Sequence, residues 1–361
     1  TQGGSRQVPE AAPTRREPVG MAVIGTGNMG AQHARNLAAG ILGARLVALA
    51  DPDEDRVRQL GRELGVPHVY TGYRAVLERD DVEAVVIAAP SPTRAEMVPA
   101  AARAGKAVFC EKPAAVDAAA ARRIASVLAE TGVPYQMGFM RRFDPSYAHA
   151  KRRIAQGVIG EPMLVRVSSR EKSPRPDRFV HRATGMFVES SIHDFDLAQW
   201  LMDDRVVRVY AQGAFVYPQF NAPDDVDMVT VSLTFSRGGL GLHDNMRYSG
   251  YGYHIQTEVI GTEGVLQIGA VHRDACVLLK QGHQASEYVV DWLERFRDAY
   301  ILEMQHFVDC LRQGTTPAIG IDAGIRALEV AEACIESFKT GLPVDVPHVP
   351  DVPDVLGEGR R

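Results

Sequence analysis

Val19-Gly-Met-Ala-Val-Ile-Gly25-Thr-Gly27-Asn28-Met29-Gly30 is the stretch whose reading decides the fold. Val19, Met21, Val23 and Ile24 read as a buried strand, and Met29, His33 and Leu37 follow at helical spacing. Between them stand three glycines in the order G-x-G-x-x-G. Gly25 permits a tight turn, Gly27 lets the backbone approach a pyrophosphate, and Gly30 lets the helix pack on the strand. Phosphates would then rest on the helix N–H groups and its positive end, beside Gly25, Gly27, Asn28, Met29 and Gly30. A second strand, residues 45–50, runs into Asp51, where the partner of a ribose 2′-hydroxyl belongs. A carboxylate there accepts from a free hydroxyl and repels a 2′-phosphate, so Asp51 argues for NAD. Arg56 and Arg58 fall on the next helix rather than at the strand end.

The pattern repeats beyond Asp51. Helix 54–64, strand 68–70, helix 73–78, apolar strand 84–89, a helix through 104, strand 107–110, helix 117–130 and strand 134–140 alternate in turn. Continuous apolar strands separated by helices imply a parallel sheet buried on both faces. The expectation is a doubly wound α/β domain over residues 19–140. Ligands of such sheets bind beyond the carboxyl ends of the strands. Gly25, Asp51, Ala89, Pro90, Glu111 and Lys112 all fall there.

The second half changes character. A helix over 145–156 precedes an alternating strand at 162–172 and a helix at about 187–202. Strands at 206–217, 226–236, 239–248, 253–261 and 263–269 then follow one another across glycine-bearing turns. This predicts an α+β domain over 141–346 with a large, mostly antiparallel open sheet. Helices at 292–313 and 322–340 close it, and the C-terminal helices are expected to pack back on the first domain. Residues 1–18 and 347–361 are expected to be tails, the first disordered and without a signal-peptide core.

Composition narrows the classes. The 361 residues are 45% hydrophobic and 24% charged, which suits a globular protein of about two domains. A net charge of −5 leaves no basic footprint for nucleic acid. No apolar run approaches the ~18 residues of a membrane span. Four scattered cysteines without a C-x-x-C read as reduced thiols of a cytoplasmic protein.

Chemistry concentrates in two places. In Glu111-Lys112-Pro113, the proline pushes Lys112 into extended backbone at the rim of the cleft. Its ammonium could donate to a substrate hydroxyl, or simply be a solvated surface lysine. In Glu189-Ser190-Ser191-Ile192-His193-Asp194-Phe195-Asp196, helical spacing puts Glu189, His193 and Asp196 on one face. A histidine beside carboxylates suits a general base near neutral pH. A structural histidine and a metal site compete with that reading. No further His/Cys cluster completes a ligand set, so no metal is expected.

Together these residues resemble the glucose–fructose oxidoreductase / inositol dehydrogenase / rhizopine catabolism family over about residues 19–346. Within it the chain is most similar to bacterial inositol 2-dehydrogenases. Gly138-Phe-Met-Arg141-Arg142 with Asp144, residues 157–162, Tyr251-Gly-Tyr253 with Ile255-Gln256, and Asp291-Trp292 with Arg295-Phe296 carry that likeness. The resemblance implies NAD-dependent oxidation of a ring hydroxyl of a cyclitol. It makes His193 the base, Lys112 its partner at the same oxygen, and Glu189 a supporting carboxylate. It implies substrate contacts from Arg141, Ser169, Glu171, Ser190, Tyr251 and Tyr253, and adds Trp292 to the cofactor residues. It also implies a homo-oligomer, a tetramer. Three positions depart from that branch: Glu189 for an aspartate, and Ser169 and Glu171 for a histidine and an asparagine. A short insertion falls at Ser249-Gly250. The substrate therefore stays open among inositols, aminocyclitols and pyranoses. An enzyme that cycles a retained NAD and a non-catalytic NAD-binding regulator also stay open.

Overall fold

The computed structural model describes residues 17–172, 185–216, 225–269, 272–273 and 276–347. The tail expectations fall outside these except at residues 17, 18 and 347.

The first unit alternates as read. Its elements are β1 Val19–Ile24, α1 Asn28–Gly40, β2 Ala44–Ala50, α2 Glu54–Leu64, β3 His68–Tyr70, α3 Tyr73–Leu77 and β4 Ala84–Ile87. Then follow α4 Ser91–Arg103, β5 Ala107–Glu111, α5 Ala118–Thr131 and β6 Tyr135–Gly138. The strands form one parallel sheet in the order β3-β2-β1-β4-β5-β6. All six residues of β1 are buried, as a strand covered on both faces requires. Local signals set the helix ends. Asp53 caps α2 by accepting from Arg56 N, and Gly65 ends it in the left-handed region (φ 67°). Asp117 and Gly132 do the same for α5.

The second unit begins with a 3-10 turn, Met140–Phe143, and α6 Pro145–Ala155. Next come β7 Pro162–Arg170, α7 Met186–Glu189, α8 Ile192–Met202, β8 Val206–Ala214, β9 Met228–Phe235 and β10 Leu240–Met246. The rest is β11 His254–Gly261, β12 Val265–Ile268, a small hairpin of β13 Leu278–Lys280 and β14 His283–Ala285, α9 Trp292–Gln313, α10 Ile321–Thr340 and β15 Val344–Asp345. The hairpin was not read from the sequence.

The large sheet has the order β12-β11-β7-β10-β9-β8-β15. It is antiparallel except where β7 and β10 run parallel, His243 beside Val167 and Asn245 beside Ser169. That pairing joins segments about 75 residues apart, which alternation within each strand does not reveal. One face is packed by α8 and α10. On β9, Val229, Val231, Leu233 and Phe235 point inward and Thr230 and Ser232 outward. The outward face exposes Tyr210, Leu240 and Leu242. α9 returns to the first unit, where Met304, Phe307 and Val308 pack with Met21, Val23 and Phe109.

One expected element is broken. The single helix at 187–202 is two, with turn residues Ser190 and Ser191 between α7 and α8. Glu189 and His193 are therefore not neighbours on one helical face. Glu189 ends the first helix and His193 opens the second.

Candidate active site

The glycine turn behaves as its sequence demands. Gly25 sits at φ +88°, and a Cβ there would lie 2.6 Å from Ala89 N. A Cβ on Gly30 would lie 1.7 Å from Gly25 O, so only glycine lets α1 sit this close to the turn. Gly27 is the opposite case. Among the described residues nothing lies within 4 Å of its Cβ position and no side chain caps α1, and Asn28 beside it is exposed. Open space in front of uncapped helix amides is the cradle a pyrophosphate fits.

Asp51 stands at the end of β2, 4% exposed. Its Oδ2 accepts from Thr26 N (2.6 Å), and its Oδ1 from Asp53 N (2.9 Å) and Arg56 Nη2 (2.6 Å). Burial alone would raise this carboxyl. The hydrogen bonds from Arg56, Asp53 and Thr26 outweigh burial and hold it below the usual range. Three of roughly four acceptor positions are used, which leaves room for a ribose hydroxyl. Arg56 does lie on α2, yet its guanidinium reaches back to the strand end; Arg58 turns away to Glu54.

Two loops complete this side. Arg94 of α4 is buried and ties the Ala89 carbonyl (2.8 Å) to those of Glu111 and Pro113 (both 2.5 Å). Pro90 precedes α4. Trp292 opens α9 and packs edge-on against Tyr300, ring centres 5.9 Å apart.

Lys112 crosses from the first unit to the second. Its Nζ donates to the main-chain carbonyl of Glu189 at 2.7 Å. The backbone of Glu189 thus holds the lysine at the turn. His193 is half-buried, with Phe139 from the end of β6 edge-on to its ring at 6.0 Å. Asp196 follows His193 by three residues on α8, is 3% exposed and is bound to Arg142 (2.6 and 2.9 Å). Burial raises its carboxyl despite the arginine. It is a structural ion pair.

The substrate-side candidates divide. Glu171, Glu189 and Ser190, with Arg247, line one cavity at the end of β7. Arg247 is paired with Asp225, which also accepts from Met186 N and so fixes the start of α7. Arg141 and Ser169 lie behind that cavity rather than on it, 4% and 3% exposed. Both bind Asp194, Ser169 Oγ at 2.8 Å. Tyr253 is buried near Arg141, edge-on to Phe296. Tyr251 is exposed and bonded to His254 Nδ1 at 2.9 Å.

Sequence reading missed Asp194, His243 and Asn245. His243 Nδ1–H donates to Val167 O (3.3 Å), and Ser191 Oγ–H donates to His243 Nε2 (2.9 Å). Burial lowers this imidazole, which suits a neutral ring accepting at Nε2. Asn245 Nδ2 donates to Ser190 Oγ (2.9 Å) and Ser191 Oγ (3.3 Å). These two residues pin the turn between Glu189 and His193. Both come from β10 and are buried beneath the turn. Alternation in 239–248 marks them as inward, but only the parallel pairing says beneath what.

Comparison with known proteins fits this geometry. Residues 19–139 match the NAD-binding Rossmann-fold model of an oxidoreductase family, and residues 151–346 its C-terminal alpha/beta domain. The chain belongs to the glucose–fructose oxidoreductase / inositol dehydrogenase / rhizopine catabolism family. It is an NAD-dependent oxidoreductase. Scyllo-inositol 2-dehydrogenase (NAD(+)) of Bacillus subtilis is 38% identical over 90% of this chain and 95% of that enzyme. Myo-inositol 2-dehydrogenase of Thermotoga maritima is 35% identical over 91% and 98%. The crystal structure of scyllo-inositol dehydrogenase from Lactobacillus casei with NAD(H) and scyllo-inositol superposes at a TM-score of 0.87, with 29% identity over 91% and 99%.

Proposed function

We propose that this family member oxidises a ring secondary hydroxyl of an inositol-like cyclitol to a ketone. The observation that carries the reading is the contact of Lys112 with the Glu189 carbonyl. It joins the lysine of the cofactor unit to the turn that launches His193. NAD supplies the hydride acceptor when bound. His193 takes the hydroxyl proton as general base. Lys112 donates to the same oxygen and stabilises negative charge that develops there. Ser190 and Ser191, bonded to Asn245 and His243, fix the approach of the imidazole. Glu171 and Glu189 line the cavity and select the substituents of the ring. Because these two carboxylates depart from the branch, aminocyclitols and pyranoses are the second reading of the substrate.

A homotetramer belongs to the same proposal, supported by the outward sheet face with Tyr210, Leu240 and Leu242 exposed. So does a cytoplasmic setting, supported by four cysteines that form no disulfide. The test is absorbance of reduced cofactor at 340 nm with NAD and a panel of inositols, aminocyclitols and pyranoses. Turnover with a cyclitol upholds the reading. Bound NAD with no turnover on any polyol points to a regulator instead.

A further inference from the structure

Directly beneath the Glu111-Lys112-Pro113 loop lies a buried cluster that the reaction does not use. His33 of α1 and Glu303 of α9 are fully buried and Glu111 of β5 is 5% exposed. One ligating atom from each lies within 4.8 Å of the other two. His33 Nε2–H donates to Glu111 Oε1 at 2.7 Å, and Lys112 N–H donates to Glu111 Oε2 at 3.2 Å. One carboxylate thus spans from the helix that carries the glycine turn to the backbone of the lysine. Burial would raise Glu111, but the His33 hydrogen bond, with the charges of His33, Arg94 and Lys112, holds it below the usual range.

Glu303 is different. Among the described residues neither of its oxygens has a hydrogen-bond partner. Gln136 of β6 donates only to its main-chain carbonyl (2.9 Å). The ionisable groups facing it are His33 from α1, Glu111 from β5, and Tyr300 one turn earlier on α9. A second bare negative charge beside Glu111, without solvent, is strongly disfavoured.

We infer that His33 and Glu111 are positioning residues for Lys112, and that Glu303 completes their buried cluster as an uncharged acid. Glu111 holds the Lys112 amide, His33 holds Glu111, and Glu303 adds no charge to compete for His33. The inference rests on the proposed role of Lys112. Three variants test it. His33→Leu removes the donor, Glu111→Gln removes the charge, and His33→Gln restores an N–H near the position of Nε2. Misplacement of a reacting group by ~1 Å costs up to about 100-fold in rate. His33→Leu and Glu111→Gln should therefore lower kcat by about tenfold or more. The NAD dissociation constant should change by less than kcat does, because the pyrophosphate rests on the Gly25–Gly30 backbone rather than on these side chains. His33→Gln should recover most of kcat. Native kcat in His33→Leu, or a loss matched by loss of NAD binding, would overturn the positioning role. If Lys112→Ala itself keeps its turnover, the functional reading fails instead.

The acid is tested through stability. Burial and the Glu111 charge raise the Glu303 carboxyl well above its ordinary value. Its contribution is fully present below the unfolded carboxyl value near ~4.3 and is lost as pH rises toward the folded value. Glu303→Gln mimics the uncharged acid and cannot ionise. Its Tm relative to the unmodified protein should therefore rise steadily from pH 5 to pH 9. A constant difference across that range, or one equivalent of divalent cation in the purified protein that Glu303→Gln loses, would overturn the uncharged assignment.

Discussion

The two ends of the cleft are built in different ways. At the cofactor end, contacts are made by backbone: Gly25 packs against the main chain of Ala89, Gly30 against that of Gly25, and Asp51 accepts from the amides of Thr26 and Asp53. At the substrate end, the turn bearing Ser190 and Ser191 is held by His243 and Asn245, more than fifty residues away. The first end is backbone geometry that few residue types can satisfy. The second is a side-chain network that reaches the turn from β10, the strand paired with β7. Cofactor choice should therefore depend on a few backbone positions, and substrate choice on a wider set of side chains.

The largest expected effects separate chemistry from cofactor binding. Lys112→Ala and His193→Ala should each lower kcat by ~10²–10⁴-fold, the usual loss for a positioned acid–base group. NAD should bind within about threefold of its native affinity, since neither residue belongs to the glycine turn. His193→Ala should also remove the near-neutral ionisation from the pH–rate profile. Joint loss of NAD affinity in isothermal titration would show that the two ends are not separable.

An intermediate effect is expected at Asp51. The unmodified enzyme should prefer NAD over NADP in kcat/KM. Asp51→Ala removes the repulsion and releases Arg56, now held at 2.6 Å, toward a 2′-phosphate. The preference should narrow by about tenfold or more, as loss of a charged contact of ~1.5–3 kcal/mol predicts. Comparable efficiency with both cofactors before any mutation would refute the role of Asp51.

A smaller effect is expected at Glu189. Its carbonyl, which any residue keeps, holds Lys112, and the residue lines the cavity with Glu171 and Ser190. Glu189→Asp should reorder the preferred polyols while lowering the best kcat by less than about tenfold. A uniform loss across all substrates would place the carboxyl in the chemistry rather than in selection.

This contrast also explains what the sequence made legible. The parallel sheet, the glycine roles, the Asp51 position and the Lys112 rim follow from apolar runs and residues with narrow backbone requirements. The break at Ser190 and Ser191 was hidden because helical spacing continues across it, from Phe187 and Val188 to Phe195. Arg141 and Asp196 looked available because their partners, Asp194 and Arg142, join them only in the folded chain. The parallel β7–β10 pairing leaves no trace in either strand.

Direct transfer of hydrogen from a ring carbon is the central claim. The most direct test supplies NAD with scyllo- or myo-inositol deuterated at every ring carbon. Reduced cofactor is then analysed by mass spectrometry, with His193→Ala as the control. The account predicts one deuterium per reduced nicotinamide and almost none formed by the variant. Reduced cofactor lacking deuterium, or equal yield from His193→Ala, would contradict it.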